Sequence, residues 1–110
     1  MKYKIRLLDH ISADGLAGYE TTPDVAYPHA ILVRGTRLVT NNFPSLLCVG
    51  RAGIGYDNIS VTEATSAGVC VFNTPGGNSR GVAEMVFANI VAVFRNVHGA
   101  MEATRVLARE

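Results

Sequence analysis

The sequence predicts an α/β domain built on an open parallel sheet, and three observations carry that prediction. The apolar runs AILV at 30–33, LLCV at 46–49 and VCVF at 69–72 have the length and composition of strands buried on both faces. Between the last two lies SVTEATSA, which begins with a capping residue and stops at Gly68, as a short helix does. Strand, helix and strand in succession make a right-handed βαβ unit, and its crossover forces the two strands parallel.

The remaining elements follow in order. Residues 3–8 alternate well enough for a first strand, and Ser12-Ala13-Asp14 predicts a capped short helix that stops at Gly18. Residues 19–28, with TTPD and YP, hold neither period and read as a loop. After the strand at 30–33 the chain is irregular as far as Leu46. Ser60, with Glu63 three positions on, has the capping-box pattern. NTPGGN at 73–78 continues neither strand nor helix and predicts a tight loop at the carboxyl edge of the sheet. Residues 81–97 are apolar on nearly every side, which predicts a helix buried all round and ended by His98-Gly99; residues 100–110 fit one more, exposed helix.

At 110 residues there is room for one domain, which hides about two-thirds of its unfolded surface. Ten Lys and Arg against nine Asp and Glu leave a net charge of +1, without the basic excess that binding a phosphate backbone needs, so nucleic acid is excluded. A hydrophobic share of 48% suits a buried core and leaves apolar surface for a partner. Cys48 and Cys70 sit in β-branched apolar runs and are expected to be small core hydrophobes in a cytosolic chain. The N-terminus lacks a signal-like core. The run at 82–94 is interrupted by Glu84 and Asn89 and falls short of the roughly 20 residues a bilayer demands, so no membrane span is expected.

The stretch GRAGIGYDN places Gly53-Ile54-Gly55 behind an apolar strand, as a nucleotide-binding turn would be. A dinucleotide fingerprint needs a third glycine three residues on, and an acid at the end of the next strand. Asn58 holds the first position and Phe72-Asn73-Thr74 the second, so the loop is not a dinucleotide loop. Two readings remain: a tight turn that needs positive φ, or a nest of main-chain N–H groups aimed at a small anion. Arg34 ends one strand and Arg51 another. Either their guanidinium forks converge on a carboxylate or phosphate, or each pairs with Asp57 or Glu84 or faces water. Asn78 is a site residue or a turn residue bonded to its own backbone. His10, His29 and His98, at strand end, loop and helix end, read as solvated or satisfied histidines.

The stretches AILVRGT, GRAGIGYDNI, EATSAGVCVFNTPGGNSRGVAEM and VFRNV resemble, in order and spacing, the amino-terminal substrate domain of the NAD-dependent D-2-hydroxyacid dehydrogenase family. The likeness covers residues 30–97 and is nearest to the phosphoglycerate-oxidising members. It implies a flavodoxin-like open parallel sheet with helices on both faces. Residues 1–98 would form the substrate-binding domain, and 99–110 a helical extension toward a nucleotide-binding Rossmann domain that these 110 residues do not contain. The resemblance places the substrate carboxylate on the main-chain N–H groups of Gly53, Ile54 and Gly55. It sets Arg34 and Arg51 at the phosphorylated end of a small anionic 2-hydroxyacid such as 3-phosphoglycerate, and Asn78 near the reacting carbon. Ile54 and Val82 would border the NAD. No catalytic residue and no metal ligand is implied here, because the family's catalytic arginine, glutamate and histidine match nothing in this sequence.

In the family the long helix lies between domains and against a second subunit, which implies a homodimer through residues 81–97. Residues 19–28 and 37–45 are shorter than the usual insertions, so part of the sheet is expected to be missing or rebuilt. Gly35 stands where a serine is common and Ile54 where a threonine is frequent. The alternative is a stand-alone, non-catalytic α/β module that binds a small anionic metabolite or self-associates. A receiver-like domain is disfavoured because the acidic cluster is lacking.

Overall fold

The computed structural model describes residues 2–109. Five strands, β1 (Lys4–Leu7), β2 (Glu20–Thr22), β3 (Ala30–Val33), β4 (Cys48–Arg51) and β5 (Cys70–Phe72), form one sheet in the order β2-β1-β3-β4-β5. Every pairing is parallel. This is the flavodoxin-like order, whose strand sequence reverses between β1 and β3. A 3-10 turn (Thr40–Asn42) and the helices α1 (Val61–Ser66), α2 (Ser79–Phe94) and α3 (Val97–Leu107) complete the described elements. The chain divides into two compact units, Met1–Gly77 and Asn78–Glu110.

In the first unit the register sorts side chains onto two faces. Ile31, Val49 and Val71 share one rung, with Val33 and Arg51 on the next rung of that face. There Ile31, Val33 and Val49 are fully buried and cluster with Leu38, Leu46, Ile59, Ala64 of α1 and Val69. Each buried valine, leucine or isoleucine side chain contributes about 1.5–3 kcal/mol by leaving water. The opposite face carries Ile5, Ala30, Cys48 and Cys70 on one rung and Leu7, Leu32, Gly50 and Phe72 on the next. It is closed over Ile5 and Leu7 but open at β5, where Cys70 and Phe72 are exposed. The expected helices for this second face are not supplied by the first unit, whose described residues form α1 alone.

Several local expectations are corrected. No helix forms after Ser12: its hydroxyl accepts the Asp14 amide at 3.1 Å in a turn, and left-handed Gly15 and Gly18 (φ 82° and 96°) break any helical path. Residues 20–22, expected to be loop, pair with β1 as the edge strand β2, so the sheet edge is rebuilt from three residues rather than lost. Strand β4 starts at Cys48, two residues later than the apolar run, with Leu46 buried and Leu47 exposed. Ser60 does not cap α1 through its side chain; its hydroxyl donates to the Leu38 carbonyl at 3.3 Å and ties down the preceding loop. Gly68 stops α1 as expected, at φ 72°. Cys48 is half-buried and Cys70 exposed, so neither is a core residue.

In the second unit α2 ends at Phe94 and Asn96 turns the chain at φ 47°, a conformation asparagine tolerates. His98 and Gly99 therefore lie inside α3 instead of closing α2. A Cβ at Gly99 would come within 2.6 Å of the Asn96 side-chain Nδ2, which would have to swing aside. The expected burial of α2 on all sides is not met, since no residue of α2 is buried. Apolar side chains encircle the helix and α3, its neighbour in this unit, meets only one side. Among the described residues, no helix is long and apolar enough to cross a bilayer.

Truncating the fully buried Ile31 to alanine is expected to cost about 2–5 kcal/mol in urea unfolding, while Leu47→Ala at the exposed neighbouring position stays within about 0.5 kcal/mol.

Candidate functional site

The carboxyl ends of β1, β3, β4 and β5 lie along one edge, where open α/β sheets bind ligands. The Val33↔Arg51 pairing sets Arg34 and Arg51 at the ends of neighbouring strands. The turn that follows β3 is held from both sides. Asp9, just beyond β1, accepts the amides of Arg34, Gly35 and Thr36 at 2.7, 2.8 and 3.0 Å on one carboxylate oxygen, and the Thr36 hydroxyl on the other. From the far side, Asn58 donates its side-chain amide to the carbonyls of Arg34 and Thr36 at 3.3 and 2.8 Å. Hydrogen bonds from the Thr36 hydroxyl, then from the main-chain amides, hold the Asp9 carboxyl well below the usual carboxylate range, against the opposing effect of desolvation. Asp9 and His10 both sit at φ 56°, a left-handed pair that aims the carboxylate back at β3.

The glycine loop is built equally tightly. Gly53 has φ 134°, open only to glycine, and a Cβ there would collide with the Arg51 guanidinium. Its amide donates to the Thr74 hydroxyl at 2.7 Å, and its carbonyl accepts the Thr74 amide at 2.9 Å. Asn73 donates to the Ile54 carbonyl at 3.0 Å. Of the three amides expected to hold an anion, that of Gly53 is thus engaged, whereas those of Ile54 and Gly55 have no partner among the described residues. Ile54 is exposed. The half-buried Arg51 side chain lies against Gly53 and Gly55; one terminal nitrogen makes a long 3.4 Å bond to the Ala52 carbonyl, and Nε has no partner. On the opposite sheet face a cavity of about 180 Å³ opens beside Leu32, Gly50, Arg51, Phe72 and Thr74. Leu32 lies across Gly50, its Cδ2 2.7 Å from where a Cβ would be, so any larger residue here would have to displace that side chain.

The carboxylates considered as partners do not neutralise the two arginines. Among the described residues, ion pairs are Arg80–Glu84 at 3.1 Å and Arg105–Glu102 at 2.9 Å, both exposed. Asp57 is in neither, although it lies beside Gly55. His29 accepts the Lys4 amide on Nδ1 at 3.1 Å and meets the Tyr3 ring edge-on, a structural role. No cluster of metal-ligating side chains occurs among the described residues. In the second unit, Asn78 is the residue before α2 and makes no side-chain cap; its carbonyl accepts the Val82 amide at 3.0 Å, and Val82 is exposed.

Residues 9–109 match the profile of the D-isomer specific 2-hydroxyacid dehydrogenases, catalytic domain. The chain belongs to this family. It is 47% identical over 72 residues to the D-3-phosphoglycerate dehydrogenase of Bacillus subtilis, and 34% identical over 101 residues to that of Methanocaldococcus jannaschii. These alignments cover 62% and 84% of this chain but 14% and 19% of the relatives, so the chain spans less than a fifth of their length. Among solved structures, the NAD+-bound 3-phosphoglycerate dehydrogenase of Entamoeba histolytica shares the fold over 86% of this chain and 40% of its own, with a TM-score of 0.67 and 22% identity. A protein from Pyrococcus horikoshii OT3 does so over 96% and 37%, with a TM-score of 0.63 and 25% identity.

A 2-hydroxyacid dehydrogenase needs a dinucleotide, and this chain's glycine loop does not fit one. The amide of Gly53 is already bonded to Thr74, and the chain passes through a turn at Tyr56 and a bridge at Ile59 before α1 opens at Val61. The pyrophosphate therefore has no helix N-terminus directly behind the glycines. Sequence reasoning missed the clamp residues Asp9, Asn58, Asn73 and Thr74. A signal existed for Asp9, an acid directly behind an apolar strand; the others are legible only once loops meet across the sheet edge.

The Asp9 clamp predicts an acid-sensitive fold. A carboxyl whose folded pKa is depressed stabilises the fold fully above the unfolded carboxyl's titration near pH 4, and that stability is lost as pH falls through the folded value. Thermal unfolding between about pH 5 and pH 2 should show a steeper loss for the wild-type chain than for Asp9→Asn, which starts lower and responds less.

Proposed function

We propose that this chain is the substrate-binding portion of an NAD-dependent D-2-hydroxyacid oxidoreductase, a D-3-phosphoglycerate dehydrogenase of serine biosynthesis working in the cytoplasm. Residues 1–98 form its substrate-binding domain and 99–110 lead toward the cofactor domain. The observation that carries the reading is the Arg51 guanidinium, half-buried, paired with no carboxylate among the described residues and lying against a loop whose Ile54 and Gly55 amides have no partner among them. A carboxylate on those amides and a phosphate on Arg34 and Arg51 would give these donors charge-assisted acceptors. Four relatives named D-3-phosphoglycerate dehydrogenase, from bacteria, an archaeon and yeast, support the choice of substrate.

NAD supplies the hydride acceptor when bound, and it is held mainly by residues outside this chain, with Ile54 and Val82 at its border. What this chain does is hold the acid end of the substrate in a fixed frame. Asn78 and Val82 are assigned by the family pattern alone, to the reacting carbon and the nicotinamide. Proton transfer is assigned to residues outside this chain, because the family's catalytic arginine, glutamate and histidine match nothing in this sequence. The long apolar α2 forms a homodimer through residues 81–97, which covers its exposed Met85, Phe87 and Phe94.

Titration calorimetry of the chain with 3-phosphoglycerate should give a saturable heat, and Arg34→Ala and Arg51→Ala should each weaken binding roughly 10- to 100-fold, the loss of one charge-assisted contact. Arg51→Lys should not restore a bidentate grip. A chain that shows neither heat nor chemical-shift change ends the substrate assignment and favours a self-associating module. NADH production by the chain alone would overturn the placement of the redox chemistry elsewhere, and a monomeric mass by light scattering at micromolar concentration would overturn the dimer.

A further inference from the structure

Away from the anion site, two thiols share one rung of the sheet. Cys48 opens β4, Cys70 opens β5, and the two are register partners. Partners on neighbouring parallel strands lie about 4.8 Å apart and send their side chains from the same face. That face is the open one, with Cys70 exposed and Cys48 half-buried, and both thiols are free. β5 is the edge strand of the sheet, and the exposed Cys70 is open there to a small molecule. Burial first, and the nearness of Cys70 second, push the Cys48 thiol up from its ordinary value, which agrees with sulfurs in mutual range.

We propose that Cys48 and Cys70 form a dithiol centre modified by small disulfides of the glutathione type, closing to a reversible bond between β4 and β5. The Cα spacing of the rung falls inside the window of about 4.4–6.8 Å that a disulfide spans. Parallel Cβ vectors keep the two Cβ atoms near the strand spacing, slightly beyond the usual 3.5–4.5 Å, so the bond closes under strain and belongs to the readily reduced class. Cys70, the exposed thiol, attacks as thiolate on one sulfur of the small disulfide; an S–S bond forms to Cys70 and one small thiolate leaves with the proton Cys70 gave up. Cys48 then attacks the Cys70 sulfur, and the second small thiol departs with the Cys48 proton. Two cysteine thiols are oxidised, and one small disulfide is reduced to two thiols. None of this depends on the substrate assignment, so the two stand or fall separately.

The test is to incubate the reduced chain with glutathione disulfide and to read intact mass and blocked thiols without reductant. The expected product is a monomeric chain lighter by two hydrogens, with both thiols consumed and the peptides of Cys48 and Cys70 linked. Cys48→Ser should stop at a lasting glutathione adduct on Cys70, and Cys70→Ser should react at least about 10-fold more slowly with the less accessible thiol. Closure in the folded chain should exceed that in urea at least about 10-fold, which separates register from mere presence of two cysteines. Circular dichroism shows whether each variant is folded, and the wild-type measurement stands whatever the variants do. Lasting glutathione adducts on the wild-type chain, chain-to-chain disulfides, no reaction, or equal rates in urea would each overturn the proposal.

Discussion

A single carboxylate organises the functional edge of this sheet. Asp9 gathers three consecutive main-chain N–H groups and a hydroxyl from the turn after β3, while Asn58 takes the carbonyls of the same turn. Without these two side chains the backbone polar groups of residues 34–36 would be left to water in a segment that must hold Arg34 in place. The geometry also decides the charge of the edge. Because the Asp9 carboxylate is spent on neutral amides, it does not form an ion pair with either strand-end arginine. Positive charge thus remains at the strand ends, because the Asp9 carboxylate is bound to main-chain amides and not to a guanidinium.

The glycine loop follows the same logic with its partners reversed. Thr74 holds both the amide and the carbonyl of Gly53, and Asn73 holds the Ile54 carbonyl, so the loop after β5 fixes the loop after β4. What these bonds leave over are two successive amides and the Arg51 guanidinium. The absence of a Cβ at Gly53 lets that guanidinium fold back over the loop, a contact any other residue would block. An anion bound there would meet groups already in position, and little side-chain freedom would remain to be lost on binding.

Much of this was legible in the sequence and some was not, for physical reasons. The strands at 30–33 and 70–72, α1 and its glycine stop are encoded locally, by apolar runs and by Gly68. The edge strand β2 was hidden because three residues with water on one side need no apolar period, and the false helix at Ser12 arose because a serine that caps a helix also makes a turn. Gly53 and Arg51 could be picked out as a glycine and a cation at a strand end. Asp9 carried a signal of its own, an acid directly behind an apolar strand, but the bonds of its clamp did not, because they join residues 25–27 positions apart and exist only once β1 and β3 are neighbours.

The least local feature is where the apolar surface goes. A chain of this size hides about two-thirds of its unfolded surface at best, and 48% of its residues are hydrophobic. In the first unit the deficit falls on the open face, where Phe72 stands uncovered beside Gly50 and Leu32; in the second it falls on α2, whose apolar residues point in every direction. A helix meant for water carries one apolar stripe, and a sheet meant for water alternates; neither pattern is present here. Periodicity of this kind is written for contact on several sides at once, which is why α2 reads as buried in the sequence although none of its residues is buried in the structure.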